Sequence, residues 1–126
     1  MKKEFSLVSS IAGTVIYLIA PYRFSNIFVR AAIGDATSFI FLPLIFLALY
    51  QIRISKKLNW KWIAFGAVFL SCALLSHAMV FFFIILAYWF YVIYWGVILK
   101  NIKEFVFSSV LSFLLFIGLS SYYLLP

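Results

Sequence analysis

The stretch that decides the fold class is WIAFGAVFLSCALLSHAMVFFFIILAYWFYVIYWGVIL, residues 62–99, which carries no charge except a possible one on His77. As one helix it would measure about 57 Å at roughly 1.5 Å per residue, nearly twice the thickness of a bilayer's hydrocarbon core. The stretch therefore predicts two membrane spans, 62–77 and 79–99. We expect the tight reversal between them at Ser76 and His77, the polar pair near the middle.

Composition supports a membrane location for the whole chain. Of its 126 residues, 67% are hydrophobic and only 10% are charged, whereas a soluble domain is about half apolar and about a quarter charged. A globule this small cannot bury so much apolar surface inside itself. The sequence therefore predicts an integral membrane protein whose surrounding medium is the lipid bilayer.

Three further apolar runs predict spans at 5–21, 36–52 and 104–124. The expected fold is all-α: a polytopic bundle of about five transmembrane helices, forming a single membrane unit over residues 1–126. Pro43 lies inside the second run, where it removes one backbone hydrogen bond and is expected to kink the helix.

The basic residues predict the orientation. Five spans with a cytoplasmic N-terminus place eight of them on one side: Lys2, Lys3, Arg53, Lys56, Lys57, Lys61, Lys100 and Lys103. Arg23 and Arg30 fall on the other side. The positive-inside rule then predicts a cytoplasmic N-terminus, and the expected location of this multi-pass protein is the cell (plasma) membrane. Because these residues occupy short gaps between apolar runs, they argue against nucleic-acid binding.

Aromatic residues near the ends of the runs are expected to include anchors at the membrane interface. The candidates are Trp60, Trp62, Tyr88, Trp89, Tyr91, Tyr94, Trp95 and Tyr122.

Candidate functional residues concentrate in PYRFSNIFVRAAIGD, residues 21–35. Arg23, Asn26 and Arg30 follow one another at i, i+3 and i+7, a spacing that predicts a short amphipathic helix in the interface plane of the first outer loop. In the simpler interpretation the arginines contact lipid headgroups. In the sharper one they hold a lipid-linked phosphate together with Tyr22 and Asn26, because guanidinium groups bind phosphate in bidentate geometry.

Asp35 and His77 are the two candidate catalytic residues, and the predicted topology places both on the extracytoplasmic side. Asp35 is interpreted either as the N-cap of a helix that begins at Ala36 or as a general base or metal ligand. His77 is interpreted either as a packing or interface residue at a span end or as a residue that contacts phosphate or transfers a proton. One histidine and one aspartate fall short of a complete metal site. No cofactor is evident, although a divalent metal remains open.

Four short motifs carry a resemblance to a known family: Tyr17-Leu-Ile-Ala-Pro-Tyr-Arg23, Phe28-Val-Arg-Ala-Ala-Ile-Gly-Asp35, Phe41-Leu-Pro-Leu44 and Leu74-Leu-Ser-His77. Their order resembles the 6-pyruvoyl-tetrahydropterin-synthase-related membrane domain family, which is similar to the GT-C integral-membrane glycosyltransferases. The resemblance implies glycosyl transfer from a polyprenyl-phosphate-linked sugar on the extracytoplasmic side. In that role Arg23 and Arg30 would hold the phosphate, and Asp35 would act as acid or base with His77 in support.

The same resemblance predicts that this chain is a piece of a longer protein, since members of the family are much longer. Its partners would then be the rest of that chain or other membrane subunits. The alternative is a non-catalytic multi-pass module, such as a transporter subunit or an assembly helix bundle. Both hypotheses account for the apolar runs and the basic gaps.

Overall fold

The fold is described by a computed structural model that covers residues 7–21, 33–55, 58–98 and 102–125. Of these residues 93% are helical and none forms a strand, so the predicted all-α class is confirmed. The helices are α1 (Leu7–Ile19), α2 (Ile33–Ile54), α3 (Trp60–Ser76), α4 (Ala78–Ile98), α5 (Ile102–Leu119) and α6 (Ser121–Leu124).

The chain divides into two compact units, Met1–Ala36 and Thr37–Pro126. The first contains α1 and the start of α2. The α1 helix has no buried residue, and its Thr14 hydroxyl donates a hydrogen bond to the carbonyl oxygen of Ser10 at 2.8 Å within the same helix. The second unit contains the rest of α2 and the helices α3 to α6.

Within the second unit, α3 and α5 run parallel. The Ser112 hydroxyl of α5 donates to the carbonyl oxygen of Ile63 in α3. Eight residues further along the chain in each case, Ser120, the residue after α5, donates to the hydroxyl of Ser71 in α3. The intervening helix α4 runs antiparallel to α5, because its residues pair with α5 in reverse order: Tyr88 with Ser109, and Phe81 with Phe116.

The α2 helix runs parallel to α4. Phe46 contacts Tyr91, and further along both helices Arg53 lies over Trp95. Consecutive helices from α2 to α5 therefore alternate in direction. Arg53 lies near the end of α2, and Lys61 and Lys103 lie at the starts of α3 and α5. These three residues therefore share one end of the bundle, which is called the basic end below. The opposite end contains His77 and Ser120.

The α3 helix ends at Ser76 and α4 begins at Ala78. His77 between them has extended backbone angles, φ −163° and ψ 111°. The sequence alone places the reversal at this same polar pair. A single extended residue suffices because the two helices that it joins lie side by side and antiparallel.

Other helix boundaries differ from the sequence expectation. The α2 helix is already helical at Ile33, so Asp35 occupies a helical position rather than the N-cap. Pro43 lies inside this continuous helix, where its side chain is exposed. The α5 helix ends at Leu119, short of the predicted 124, because Ser120 turns the chain and its carbonyl oxygen accepts the amide protons of Tyr123 and Leu124.

Two helical segments are long and apolar enough to cross a membrane, Ala36–Ile54 and Ala78–Ile98. The α1 and α3 helices are apolar but shorter. Along α4, large apolar side chains point away from the bundle: Phe83 is 70% exposed, Phe90 73% and Val97 79%.

Candidate functional site

The residues predicted to bind phosphate, Tyr22, Arg23, Asn26 and Arg30, lie outside the described part of the chain. Their roles, and the interfacial helix predicted for them, stay predictions. The main chain of Asp35 is helical and belongs to the first unit, whereas His77 belongs to the second. The predicted grouping of Asp35 with His77 likewise stays a prediction.

His77 makes local contacts that cap the two helices it joins. Its amide donates to the carbonyl oxygen of Ala73 at 3.3 Å, and its own carbonyl oxygen accepts the amide proton of Phe81 at 3.0 Å. Its Nδ1 atom accepts the amide proton of Val80 at 3.4 Å, the position of an N-cap acceptor for α4. These contacts support the packing interpretation, while a role toward phosphate or a proton stays a prediction.

Polar side chains meet instead in the α3–α5 interface, the most extensive contact between two described helices. Ser112 is buried and donates to the carbonyl oxygen of Ile63 at 3.0 Å. Gly66 permits this approach, since a Cβ atom there would lie 2.6 Å from the Ser112 Oγ atom. Ala48 of α2 lies beside the same glycine, so three helices converge here.

A second polar contact closes this interface at the end that contains His77. The Ser120 hydroxyl donates to Ser71 at 3.1 Å, and Ser71 in turn donates to the carbonyl oxygen of Ala67 at 2.9 Å. Toward the basic end, the Ser109 hydroxyl donates to the carbonyl oxygen of Phe105. These serines donate their hydroxyl protons to protein oxygens and thereby satisfy polar groups inside the helix packing.

Tyr88 joins this interior network from α4. It is 1% exposed, and its hydroxyl donates to the carbonyl oxygen of Ser109 at 2.8 Å. The expectation that Tyr88 belongs among the interface anchors is wrong, because its ring packs in the core against Trp89 and Phe113.

These serines are not among the residues predicted from the sequence, although a signal for them was present. Ser108, Ser109 and Ser112 recur at i, i+1 and i+4 in an otherwise apolar helix. That spacing puts them on one face, and small polar residues are typical of helix interfaces in membranes. All three are buried.

At the basic end, the Arg53 guanidinium lies over two aromatic rings. Its guanidinium carbon lies 3.9 Å from the ring centroid of Trp95 and 4.9 Å from that of Tyr50. Both distances are within the range of cation–π attraction. Trp60, exposed at the first turn of α3, belongs to the same end.

A groove runs between α2 and α4. It has a volume of about 550 Å³ and is lined by Phe46, Leu86, Ala87, Phe90, Tyr91 and Tyr94. The rings of Phe46 and Tyr91 meet edge to face with centroids 5.5 Å apart. Tyr91 and Tyr94 both contact Trp95, which connects the groove to Arg53.

Metal-ligating residues do not cluster in the part of the chain that the structure covers, where no three His, Cys, Asp or Glu residues could share an ion. Comparisons with protein-family models, curated proteins and solved structures give no significant match.

Proposed function

We propose that this chain is a multi-pass membrane module, with α1 to α5 as five spans of a helix bundle. The observation that carries this proposal is the distribution of polar and apolar side chains in the second unit. Phenylalanines and other large apolar side chains cover the outside of α4, while Ser109 and Ser112 are buried inside. This arrangement suits a hydrocarbon solvent and close packing of helices through small residues.

The exposed phenylalanines of α4 favour a lipid environment on energetic grounds. Exposing such a side chain to water instead of burying it costs about 1.5–3 kcal/mol. Phe82, Phe83 and Phe90 are each more than half exposed. Together they would forfeit several kcal/mol in water, comparable to the roughly 5–15 kcal/mol by which domains are stable. In lipid this loss disappears.

The orientation in this proposal follows from the basic end. Arg53, Lys61 and Lys103 belong to three different helices and gather at one end of the bundle, with the aromatic residues Tyr50, Trp60 and Trp95. The positive-inside rule favours the cytoplasm for this end, and aromatic rings favour the membrane interface.

A second candidate function is that of a GT-C-like glycosyltransferase fragment using a polyprenyl-phosphate-linked sugar. The observation favouring it is that His77 belongs to the end opposite Arg53, which the orientation above makes extracytoplasmic. That is the side predicted for Arg23, Arg30 and Asp35. The geometry supports the non-catalytic module best, because His77 already serves as a helix cap.

Cysteine labelling tests the membrane module. In a Cys72→Ala background, Lys61→Cys and Tyr122→Cys place a thiol at opposite ends of the second unit. Both positions are exposed, Tyr122 at 96%. A membrane-impermeant maleimide should label Lys61→Cys only in inside-out vesicles and Tyr122→Cys only in right-side-out vesicles. Labelling of both from the same side, or release of the protein by alkaline carbonate, would contradict the proposal.

Activity tests the catalytic alternative. Asp35→Asn and Arg30→Ala in the whole protein should each reduce transfer of a polyprenyl-linked sugar by at least tenfold, since one removes the proposed base and the other a phosphate contact. Lys61→Ala, at the basic end, is the matched charge control and should leave transfer unchanged. Full transfer by both test variants would eliminate the proposed roles of Asp35 and Arg30.

A further inference from the structure

We propose that the groove between α2 and α4 binds an acyl chain of an anionic glycerophospholipid in the cytoplasmic leaflet, and that Arg53 contacts the phosphate of this lipid. The inference rests on the proposed membrane location of the bundle. It is supported by the volume of the groove, by the position of the groove along α4 and by the Arg53 side chain near it.

The groove has the volume of a ligand-binding pocket. Its volume of about 550 Å³ falls within the roughly 300–1,000 Å³ of ligand pockets in proteins. Ala87 supplies the depression, since a small side chain lies there between the larger Leu86, Phe90 and Tyr91. Phe46 of α2 forms the opposite wall. Such a surface offers only apolar contacts along most of its length, as an acyl chain requires.

The depth of the groove confines it to one leaflet. From Leu86 to Tyr94 the α4 helix rises about 12 Å, at roughly 1.5 Å per residue. Leu86 lies near the middle of Ala78–Ile98, and Tyr94 lies toward the basic end. Half of a hydrocarbon core of about 30 Å is roughly 15 Å. A transmembrane partner helix would contact the bundle over the full thickness, so the half-length groove favours a lipid tail.

Arg53 supplies the charge complementarity. Trp95 contacts the groove residues Tyr91 and Tyr94 on one side and carries the Arg53 guanidinium on its ring at 3.9 Å. Stacking fixes the plane of the guanidinium, which has five N–H donors and binds phosphate in bidentate geometry. The anionic lipids of the cytoplasmic leaflet attract basic residues at this level.

Native mass spectrometry of the purified full chain in detergent tests the site, using phosphatidylglycerol and phosphatidylcholine with identical acyl chains. The unmodified protein should retain phosphatidylglycerol about tenfold more strongly than phosphatidylcholine. The choline cation of phosphatidylcholine offsets the attraction of its phosphate to Arg53, and a difference of about 1.4 kcal/mol corresponds to that factor. Ala87→Trp fills the groove and should reduce retention of both lipids by about tenfold. Ile93→Trp, at an exposed position outside the lining, is the matched control and should retain both.

The charge is tested separately. Arg53→Gln should lose the preference for phosphatidylglycerol while still retaining phosphatidylcholine, and Arg53→Lys should keep part of that preference. Lys61→Gln, at the same end but in α3, should keep it fully. If Ala87→Trp loses helical circular dichroism, Ala87→Leu fills less of the groove and should still reduce retention about threefold.

Three results would overturn the site. They are equal retention of the two lipids by the unmodified protein, equal behaviour of the Ala87 and Ile93 variants, and a dimer whose mass disappears in Ala87→Trp. The last result would assign the groove to a partner helix. A chain that cysteine labelling places in the membrane but that shows any of these results loses only the lipid site. Release by alkaline carbonate would instead refute the membrane module itself.

Discussion

Gly66 and Ser112 face each other across the α3–α5 interface so closely that a Cβ atom on Gly66 would lie 2.6 Å from the Ser112 Oγ atom. The same hydroxyl donates to the carbonyl oxygen of Ile63 at 3.0 Å. The absence of a side chain at residue 66 and the hydrogen bond of residue 112 are therefore coupled.

A double-mutant cycle should measure this coupling. Gly66→Ala should cost about 1 kcal/mol net, because it leaves the buried Ser112 hydroxyl without its hydrogen bond at about 1–3 kcal/mol, against a gain in helix propensity of about 1 kcal/mol. Ser112→Ala should cost a similar amount. The double variant should be no less stable than Ser112→Ala, since alanine in place of glycine favours a helix by about 1 kcal/mol and the Cβ atom of residue 112 lies at an ordinary 3.8 Å. Unfolding in detergent, followed by circular dichroism, gives these free energies. Additive losses would contradict the coupling.

The stability of the protein should depend on both the hydroxyl group and the ring of Tyr88. Tyr88→Phe removes one buried hydrogen bond and should lower the free energy of unfolding by about 1 kcal/mol. Tyr88→Ala also leaves a cavity and should cost about 3–5 kcal/mol, as for other buried aromatic residues. Tyr94→Phe is the matched control, because Tyr94 is about half exposed, and should change stability by less than about 0.5 kcal/mol. Equal losses for the two Tyr→Phe variants would argue against the Tyr88–Ser109 hydrogen bond.

The Arg53–Trp95 pair should contribute a measurable pairwise free energy. A cycle of Arg53→Met and Trp95→Leu should give a coupling of about 0.5–2 kcal/mol, the range for cation–π pairs that are partly shielded from water. Arg53→Lys paired with Trp95→Leu should give a smaller value, since an ammonium group does not stack as a planar guanidinium does. A coupling near zero in the first cycle would mean that the two side chains are only neighbours.

Substitutions at His77 should show whether this residue acts as a helix cap or as a catalytic group. His77→Asn should keep an acceptor for the Val80 amide and change the free energy of unfolding little, whereas His77→Ala should cost about 1 kcal/mol. If His77 acted only as a cap, His77→Asn would also keep any sugar-transfer activity of the whole protein. A folded His77→Asn variant that loses transfer at least tenfold would instead support proton transfer or phosphate binding by His77.

The helical class and the break at His77 were accessible from the sequence because both follow from length. In a chain that spans a bilayer, an apolar run nearly twice as long as the hydrocarbon core is thick is expected to reverse, and Ser76 and His77 are the polar residues nearest its middle. The end of α5 was less accessible. No charge or proline interrupts residues 119–125, so the sequence marks no sharp end there, whereas the turn depends on hydrogen bonds to the carbonyl oxygen of Ser120.

The buried serines were harder to foresee for a similar reason. Ser112 contributes the same hydropathy whether it faces lipid or another helix, so its partner Ile63 can be recognised only once α3 and α5 lie side by side. The residue type alone does not distinguish an aromatic ring at the interface from one in the core, and Tyr88, one of the candidate interface anchors, lies in the core instead. Its position near the middle of α4 places it far from either end.

The parallel pairing of α3 with α5 also sets an order of events during synthesis. Ile63 and Ser112 are 49 residues apart, with the whole of α4 between them. A nascent chain must therefore complete α4 before α3 meets α5, the helix with which it has its most extensive contact. Ser71 has an acceptor that does not depend on α5, because its hydroxyl donates to the carbonyl oxygen of Ala67 within α3. The face of α3 that packs against α5 therefore stays uncovered by α5 until Ile102–Leu119 has been synthesised.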